Sequence, residues 1–485
     1  MVQPPAVSRQ RSTSPRSIVT ILAFIGIVVS LMQTLVIPIL PQLPVLLHAT
    51  ATDTSWIITA TLLAGAVVTP ISGRLGDMFG KRRMLIISLA LLTLGSILCA
   101  VTSSLPVMLA GRILQGLAAG AIPLGISILR DELPREKVGS AVATMSATMG
   151  VGGAIGLPVA ALIAQNADWH VLFWTSAGMG VLALALVALV LPESPVRTPA
   201  KFDGVGAAGL MVGLVALLLP ITKGADWGWN SPLTLGLFAA AAVVLVLWGV
   251  FELRVASPLV DLRVSARPRV LFTNLASISV GFAMYAMNLA FPQLLMSPSA
   301  TGYGLGQTMV QAGLALAPGG LVMMLVSPVS ARLTTRRGPK VTLMLGAAVI
   351  GAGYLLAFLL TAEVWQVIAA SMVIGAGIGL AYAAMPALIM GAVPLTETAA
   401  ANGLNSLMRA FGTASSAAVM GVVLANMTMP LGPVQVPTMA GFHTTFAIGA
   451  IAAVAAVVLA AFIPARDTTP GAGAPSKDAP QLQDA

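Results

Sequence analysis

Charge is the scarce ingredient of this chain. Of 485 residues only 8% are Asp, Glu, Lys or Arg, while 57% are hydrophobic. A soluble globular domain carries roughly 25% charged residues, so a water-soluble fold is excluded and most of the surface must face something other than water. Cysteine and histidine are scarcer still. The one cysteine, Cys99, lies in an apolar run, which excludes an intrachain disulfide and a cysteine-built metal site. The three histidines, His48, His170 and His443, are far apart in sequence. With no His-rich or Cys–His cluster there is no evident catalytic centre, and the chain reads as a non-enzyme without a cofactor. The phosphate loop G-x-x-x-x-G-K-[ST] is absent, which argues against ATP-driven work by this chain alone. Alternating ten-residue strands, the mark of a membrane barrel, are absent as well.

What is present is a series of long apolar stretches. About 20 residues of helix cross a hydrocarbon core of roughly 30 Å, and helices satisfy their own backbone in lipid. Fourteen candidate spans follow, at 18–40, 55–73, 84–102, 106–127, 140–163, 171–191, 205–222, 232–251, 270–292, 306–330, 341–361, 365–388, 399–426 and 442–463. The first imitates a signal peptide, but it is long enough to span and no small-residue cleavage site follows it. Segments 1–16 and 464–485, rich in Pro, Ser, Thr, Gly and Ala, read as disordered cytoplasmic tails.

The distribution of positive charge tests this count. With the N-terminus in the cytoplasm, twenty-two of the twenty-five Lys and Arg residues fall in cytoplasmic segments. Only Lys223 falls outside, and Arg112 and Arg409 fall within spans. The formal net charge of +9 is therefore orientation in a lipid bilayer rather than nucleic-acid binding.

An internal repeat divides the chain. Gly73–Arg83 reads GRLGDMFGKRR, and its first ten residues align with ARLTTRRGPK at 331–340. Arg74 matches Arg332, Leu75 matches Leu333 and Gly80 matches Gly338. Each copy follows the second span of a six-span block. The expected organisation is a six-helix bundle at 17–192, an inserted pair of helices with flanking cytoplasmic loops at 193–269, and a second six-helix bundle at 270–463. Paired repeats are the architecture of alternating-access transporters.

The first copy has a mechanical reading. Gly73, Gly76 and Gly80 permit a tight turn and close helix approach. Asp77 can accept hydrogen bonds from a neighbouring helix N-terminus or from arginines, a contact that one state forms and another breaks. Gly73, Arg74, Gly76, Asp77 and Gly80, with Arg332 and Gly338, are the candidate conformational switch; Lys81, Arg82 and Arg83 read as plain topogenic charges. Arg112 in the fourth span (LAGRILQGLAAG) should face a cavity or a partner, with Gln115 one turn on. In the fifth span Gly152, Gly156 and Pro158 are a candidate hinge, with plain helix packing as the alternative. Asn405 and Arg409 in the thirteenth span are four residues apart and share a face. Gln33 and Thr34, Tyr285 and Asn288, and Gln311 complete the candidate polar points of an apolar cavity, each also able to serve as an interhelical hydrogen bond. None of the sixteen acids lies clearly mid-membrane. A proton-coupled carrier wants a carboxylate there, and Asp53 at the outer end of the second span is the first candidate, Asp77 the second.

These residues resemble the major facilitator superfamily across nearly the whole chain, and within it the fourteen-span drug:proton antiporter group. The resemblance rests on TSWIITATLLAGAVVTPISGRLGDMFGKRRM, LAGRILQGLAAG, the GLP of the fifth span, FDGVGAAGL, SPLVDL and NGLNSLMRAFG. It implies an all-α membrane protein with both termini cytoplasmic. It also implies export of amphipathic drugs or antibiotics, driven by a proton gradient; a monomer is expected, and the glycine and alanine richness points to a bacterial cytoplasmic membrane. The chain departs from the group's pattern at Met32, where an acid is usual, at Thr61, where a tyrosine is usual, and at Thr335, opposite Asp77. Without a membrane acid, a neutral or anionic substrate near Arg112 or Arg409 is as plausible as a cation. A metabolite carrier without proton antiport, or a membrane enzyme or lipid-handling scaffold, are the other readings.

Overall fold

A computed structural model of the chain describes residues 14–39, 42–194, 196–197, 201–432 and 434–464. Among the described residues fourteen helices are long and apolar enough to cross a membrane. In the first half they are α1 (Pro15–Thr34), α2 (Thr52–Phe79), α3 (Lys81–Ala100), α4 (Leu105–Glu132), α5 (Arg135–Asn166) and α6 (His170–Val190). The inserted pair is α7 (Gly204–Trp227) and α8 (Pro232–Glu252). The second half holds α9 (Pro268–Met296), α10 (Met309–Arg337), α11 (Pro339–Leu359), α12 (Val364–Met390), α13 (Leu395–Asn426) and α14 (Met439–Ala461).

Helix starts follow the sequence chemistry. Four helices that begin on the outer face open on a hydroxyl cap: Thr50 for α2, Ser231 for α8, Thr308 for α10 and Thr438 for α14, each accepting a backbone N–H of the first turn. α1 stops at Thr34 rather than at 40 and gives way to a 3₁₀ turn at Ile37–Ile39. The proposed N-terminal tail also loses two residues, since Pro15 and Arg16 already belong to α1, capped by Ser14; residues 1–13 and 465–485 lie outside the described residues. One small departure from an all-helical chain is a two-stranded antiparallel hairpin in the α13–α14 link, β1 (Thr428–Leu431) and β2 (Val434–Pro437), with Met429 opposite Val436.

Each half has its own core. Leu22, Ile25, Leu85, Leu89, Leu129 and Val187 are fully or almost fully buried together in the first. Phe291, Leu343, Tyr354, Ile374, Phe442 and Phe446 fill the second. The halves meet along two seams. At one, α5 lies against α10: a Cβ on Gly313 would sit 3.2 Å from Pro158. At the other, α2 lies against α13, close enough that a Cβ on Gly403 would sit 2.6 Å from the Thr69 carbonyl oxygen. Small residues allow this approach where lipid supplies no hydrophobic drive. α7 covers the second seam, packing Leu210, Leu214 and Leu218 with Ala66 and Val67 of α2 and Leu407 and Ala414 of α13. α8 stays peripheral, with Thr234, Ala241 and Glu252 its buried residues.

Lys223 belongs to this architecture rather than to an outer loop. It lies in the last turns of α7, is 2% exposed, bonds Ser55 of α2 and Asp226, and stands 5.2 Å over the Trp56 ring. A lone positive charge outside the cytoplasmic set is thus matched locally.

Candidate functional site

Between the halves lies a cavity of about 140 Å³. Its polar lining comes from both sides: Gln33, Thr61, Thr69, Arg112 and Gln115 from the first half, Tyr382, Ser406, Arg409 and Thr413 from the second. The rest is apolar, including Val29, Met32, Leu62, Ile122, Met149 and Met284. None of the described residues lining it is Asp or Glu. Met32 and Thr61, two positions where the chain departs from the antiporter pattern, both face it.

Arg112 is 2% exposed and its Nη1 donates to Gln115 Oε1 at 2.7 Å, while Nε reaches the Ile57 carbonyl at 3.4 Å. Gln115 in turn donates to Ser96 Oγ at 2.9 Å, and Ser96 shares a 3.0 Å hydroxyl contact with Ser176 of α6. Arg409, 7% exposed, donates to Asn405 Oδ1 at 2.5 Å and Ser406 Oγ at 2.7 Å, and its guanidinium carbon stands 5.3 Å from the Tyr382 ring centre. Asn405 donates to Asn274 Oδ1 and Ser277 Oγ of α9 at 2.9 and 2.8 Å. Each arginine is therefore held by a chain of amides and hydroxyls.

Below the cavity, at the end that positive-inside places in the cytoplasm, the halves are clasped. Gly73–Arg83 is hardly a loop. α2 runs helical to Phe79, Gly80 alone breaks the chain at φ +110°, and α3 starts at Lys81. That delivers Asp77, 1% exposed, to the start of α13, where its two oxygens accept the Ala399 N–H at 3.3 Å and the Ala400 N–H at 2.9 Å. Regular α-helix begins in α13 at Thr398, after a 3₁₀ turn at Leu395–Glu397, so these are first-turn amides without an intrahelical partner, and the helix dipole favours an anion there. Gly73 makes the approach possible, since a Cβ at that position would lie 2.8 Å from the Ala399 carbonyl carbon. Gly76 packs on Leu124 of α4. A second strap joins the same ends: Arg130 donates to Thr398 Oγ1 at 2.6 Å and to the Val393 carbonyl at 3.1 Å. Arg74, 9% exposed, lines a separate cavity of about 280 Å³ with Asp261 and Glu397 between α2, the α8–α9 link and α13.

Lys81 corrects the topogenic reading given to it. It is 0% exposed, with Nζ 2.5 Å from Asp131 Oδ2 and 3.5 Å from Asp77 Oδ1. Ser194 also donates to Asp131 Oδ2, at 2.5 Å. A buried ammonium must be paired, and this one lies near the same Asp77 oxygen, Oδ1, that accepts the Ala399 N–H. The sequence signal was available: position 81 lies one turn beyond Asp77.

Other candidates fall elsewhere. Asp53 is exposed and sits in the first turn of α2, where its carboxylate accepts from the Thr50 hydroxyl at 2.7 Å; it does not line the cavity. Gln311 is the third helical residue of a capping box with Thr308 at the outer end of α10. Asn288 is exposed, Tyr285 is half-buried, and neither lines the cavity. Thr34 bonds the Leu31 carbonyl of its own helix at 2.9 Å and packs on Gly156. α5 runs unbroken through Pro158, and a Cβ on Gly152 would meet Ser30 Cβ at 2.6 Å, so these residues pack α5 on α1 and α10. Arg332 is exposed, while Gly338 repeats the turn of Gly80 at φ +88°. Tyr382, Ser406, Thr69 and Thr413 escaped sequence reasoning, because a single hydroxyl in an apolar helix carries no signal of the face it occupies; Thr61 was singled out only as a departure from the antiporter pattern.

A family model described as Major Facilitator Superfamily matches residues 22–417 and again 273–482. Curated relatives include the multidrug resistance protein Stp of Mycobacterium tuberculosis, 28% identical over 76% of this chain and 68% of that protein. The uncharacterized MFS-type transporter YhcA of Bacillus subtilis is 26% identical over 70% of this chain. The matched part spans 63% of YhcA's own length. Among solved structures the proton:xylose symporter XylE superposes with a TM-score of 0.67 at 15% identity, covering 93% of this chain and 96% of that one. That likeness supports the paired six-helix fold, around which α7 and α8 are additional.

Proposed function

The chain belongs to the major facilitator superfamily, and we propose that it is a secondary transporter that exports amphipathic small molecules by alternating access. One observation carries the reading: the cavity lies between two separately cored halves, and the Asp77 clasp closes the halves together at one end of it. The moving units are the bundles at 17–192 and 270–463, with the pair at 193–269 riding on the α2–α13 seam. A drug-sized molecule needs a pocket of about 300–1,000 Å³, so the 140 Å³ cavity must widen for loading. Release of Asp77 from Ala399 and Ala400 would do this from the cytoplasm, and Lys81 would retain the carboxylate while the amides are free. Similarity to Stp supports drugs or antibiotics as cargo.

The experiment is Asp77→Asn, assayed as efflux from cells and from vesicles. We expect at least about a tenfold loss of transport, the scale of one or two charge-assisted hydrogen bonds, with membrane insertion unchanged. Wild-type efflux in that variant would remove the clasp from the mechanism. Proton antiport is tested by imposing a pH gradient on reconstituted vesicles; equal transport with and without it counts against antiport. A second reading, a carrier without proton antiport, is favoured by the cavity's lining, which holds two arginines and no acid.

A further inference from the structure

Two guanidinium groups from opposite halves face one apolar cavity, and neither meets a carboxylate. The ion pairs among the described residues join Lys81, His170, Arg197 and Lys223 to acids; Arg112 and Arg409 are in none of them. Their partners are amides, hydroxyls and a carbonyl, all neutral. A guanidinium has five N–H donors, and the bonds just named use two on each residue. Removing a charge from water is unfavourable unless an opposite charge answers it. Two such charges, fixed in orientation by Gln115–Ser96 on one side and Asn405–Asn274 on the other, form a preorganised clamp awaiting an anion.

We infer that the transported molecule is an amphipathic organic anion, whose carboxylate, sulfonate or phosphate group is held between Arg112 and Arg409 while its apolar body lies on Met32, Leu62, Met149 and Met284. This deepens the exporter reading and rests on it. The planar fork of arginine suits all three head groups in bidentate contact, and the methionines give an adaptable apolar wall. An anionic cargo also accounts for the absence of an acid in the cavity. An interior-negative membrane potential drives a monoanion outward by itself, by about fiftyfold at 100 mV, so no proton-carrying carboxylate is required at the substrate.

Because the arginines come from different halves, the clamp also couples loading to closure. One bound head group would bridge the two bundles above the Asp77 clasp, and without it the two like charges that line the one cavity repel. Loading would therefore draw the cavity walls together, and release would let them part.

The test uses two probes with one fluorophore, dansylglycine as the carboxylate and dansylcadaverine as the ammonium, on the full chain in nanodiscs. The expected result is that the wild type binds dansylglycine at least about tenfold more tightly than dansylcadaverine. In Arg112→Gln/Arg409→Gln that affinity falls by at least about tenfold, while dansylcadaverine binds as before or better. Arg112→Lys/Arg409→Lys keeps the anion preference and guards against misfolding of the glutamine pair. Wild-type preference for dansylcadaverine, or retention of the dansylglycine preference in a folded glutamine pair, overturns the inference. Competition by chloride or inorganic phosphate with the same potency as dansylglycine overturns its amphipathic part. In proteoliposomes without a pH gradient, a potential negative on the cytoplasmic side should drive dansylglycine out, and reversing it should stop export. Export of dansylcadaverine alone, and only under a pH gradient, would sink the anion and leave the exporter standing. Movement of neither probe under any gradient would count against both.

Discussion

The two copies of the signature sequence fold to the same turn and do different work. Gly80 and Gly338 both break a helix at positive φ, +110° and +88°, and both start the next helix at once. The tenth residue of each copy is also equivalent. Arg82 donates to the Ala188 carbonyl at 2.6 Å and Lys340 to the Ala461 carbonyl at 2.7 Å, so each cation caps the last helix of its own half. The fifth and ninth residues diverge. Asp77 and Lys81 are buried and reach across to α13 and α4. Their counterparts are Thr335, exposed and bonded to the Ala331 and Arg332 carbonyls of its own helix, and Pro339, which has no charge. Duplication kept the backbone hinge and the cap in both halves; the charged clasp survives in one. On the exporter reading, a carboxylate clasp in one copy alone would make the cytoplasmic closure asymmetric, controlled from the α2–α13 seam rather than from α5–α10.

Substitutions at paired positions would break or sharpen this contrast. The largest effect is expected at Lys81. Lys81→Met leaves Asp77 and Asp131 buried without their cation, a situation that costs about 3–5 kcal/mol. We expect a large fall in the thermal midpoint in detergent, whereas Lys340→Met, at the partly exposed cap of the second copy, should shift it little. Equal shifts would mean that the buried network is not special. Next comes Gly73→Val, whose side chain would collide with Ala399 and hold the seam open. Its expected signature is strong labelling of a cytoplasmic cysteine placed at Ala400, weak in the parent. Smaller again is the arginine pair. Arg74→Ala removes a buried charge beside Asp261 and Glu397 and should reduce transport severalfold; Arg332→Ala, exposed, should be within about ±0.5 kcal/mol of neutral in stability.

How much of this could be read from residues alone depended on length of signal. Spans of twenty apolar residues and the partition of Lys and Arg are redundant, so the fourteen helices and the repeat were legible. Helix ends were less so, because α2 carries Arg74 and Asp77 inside its last turns, where hydropathy reports a loop. Within the site, Arg112 and Arg409 declared themselves by the cost of a charge in lipid. Asp53 and Gln311 misled for the opposite reason: near a helix start the same polar side chains serve as caps, and the sequence does not say which use prevails until the first turn is located. Tyr382 was invisible because its role depends on rotation about α12, which is buried on nearly every face in its second half.

The finest test asks whether the clasp can be moved. Thr335→Asp recreates the acid of the first copy at the cytoplasmic end of α10, beside α5, whose N-cap Pro134 makes no side-chain cap of its own. An acid at a helix start is worth about 0.3–1 kcal/mol on an exposed surface, so the variant alone should slow turnover by no more than about fivefold. It should not restore transport to Asp77→Asn. At the place of Lys81 it finds Pro339, so no buried ammonium would hold the carboxylate when the amides let go, and at the surface water competes for it. Transport by Asp77→Asn/Thr335→Asp is therefore expected to stay within about twofold of Asp77→Asn alone, since an exposed charge contributes little. Rescue to wild-type flux would show that any acid at either turn can close the cytoplasmic end, and that the asymmetry between the copies is an accident of sequence rather than part of the mechanism.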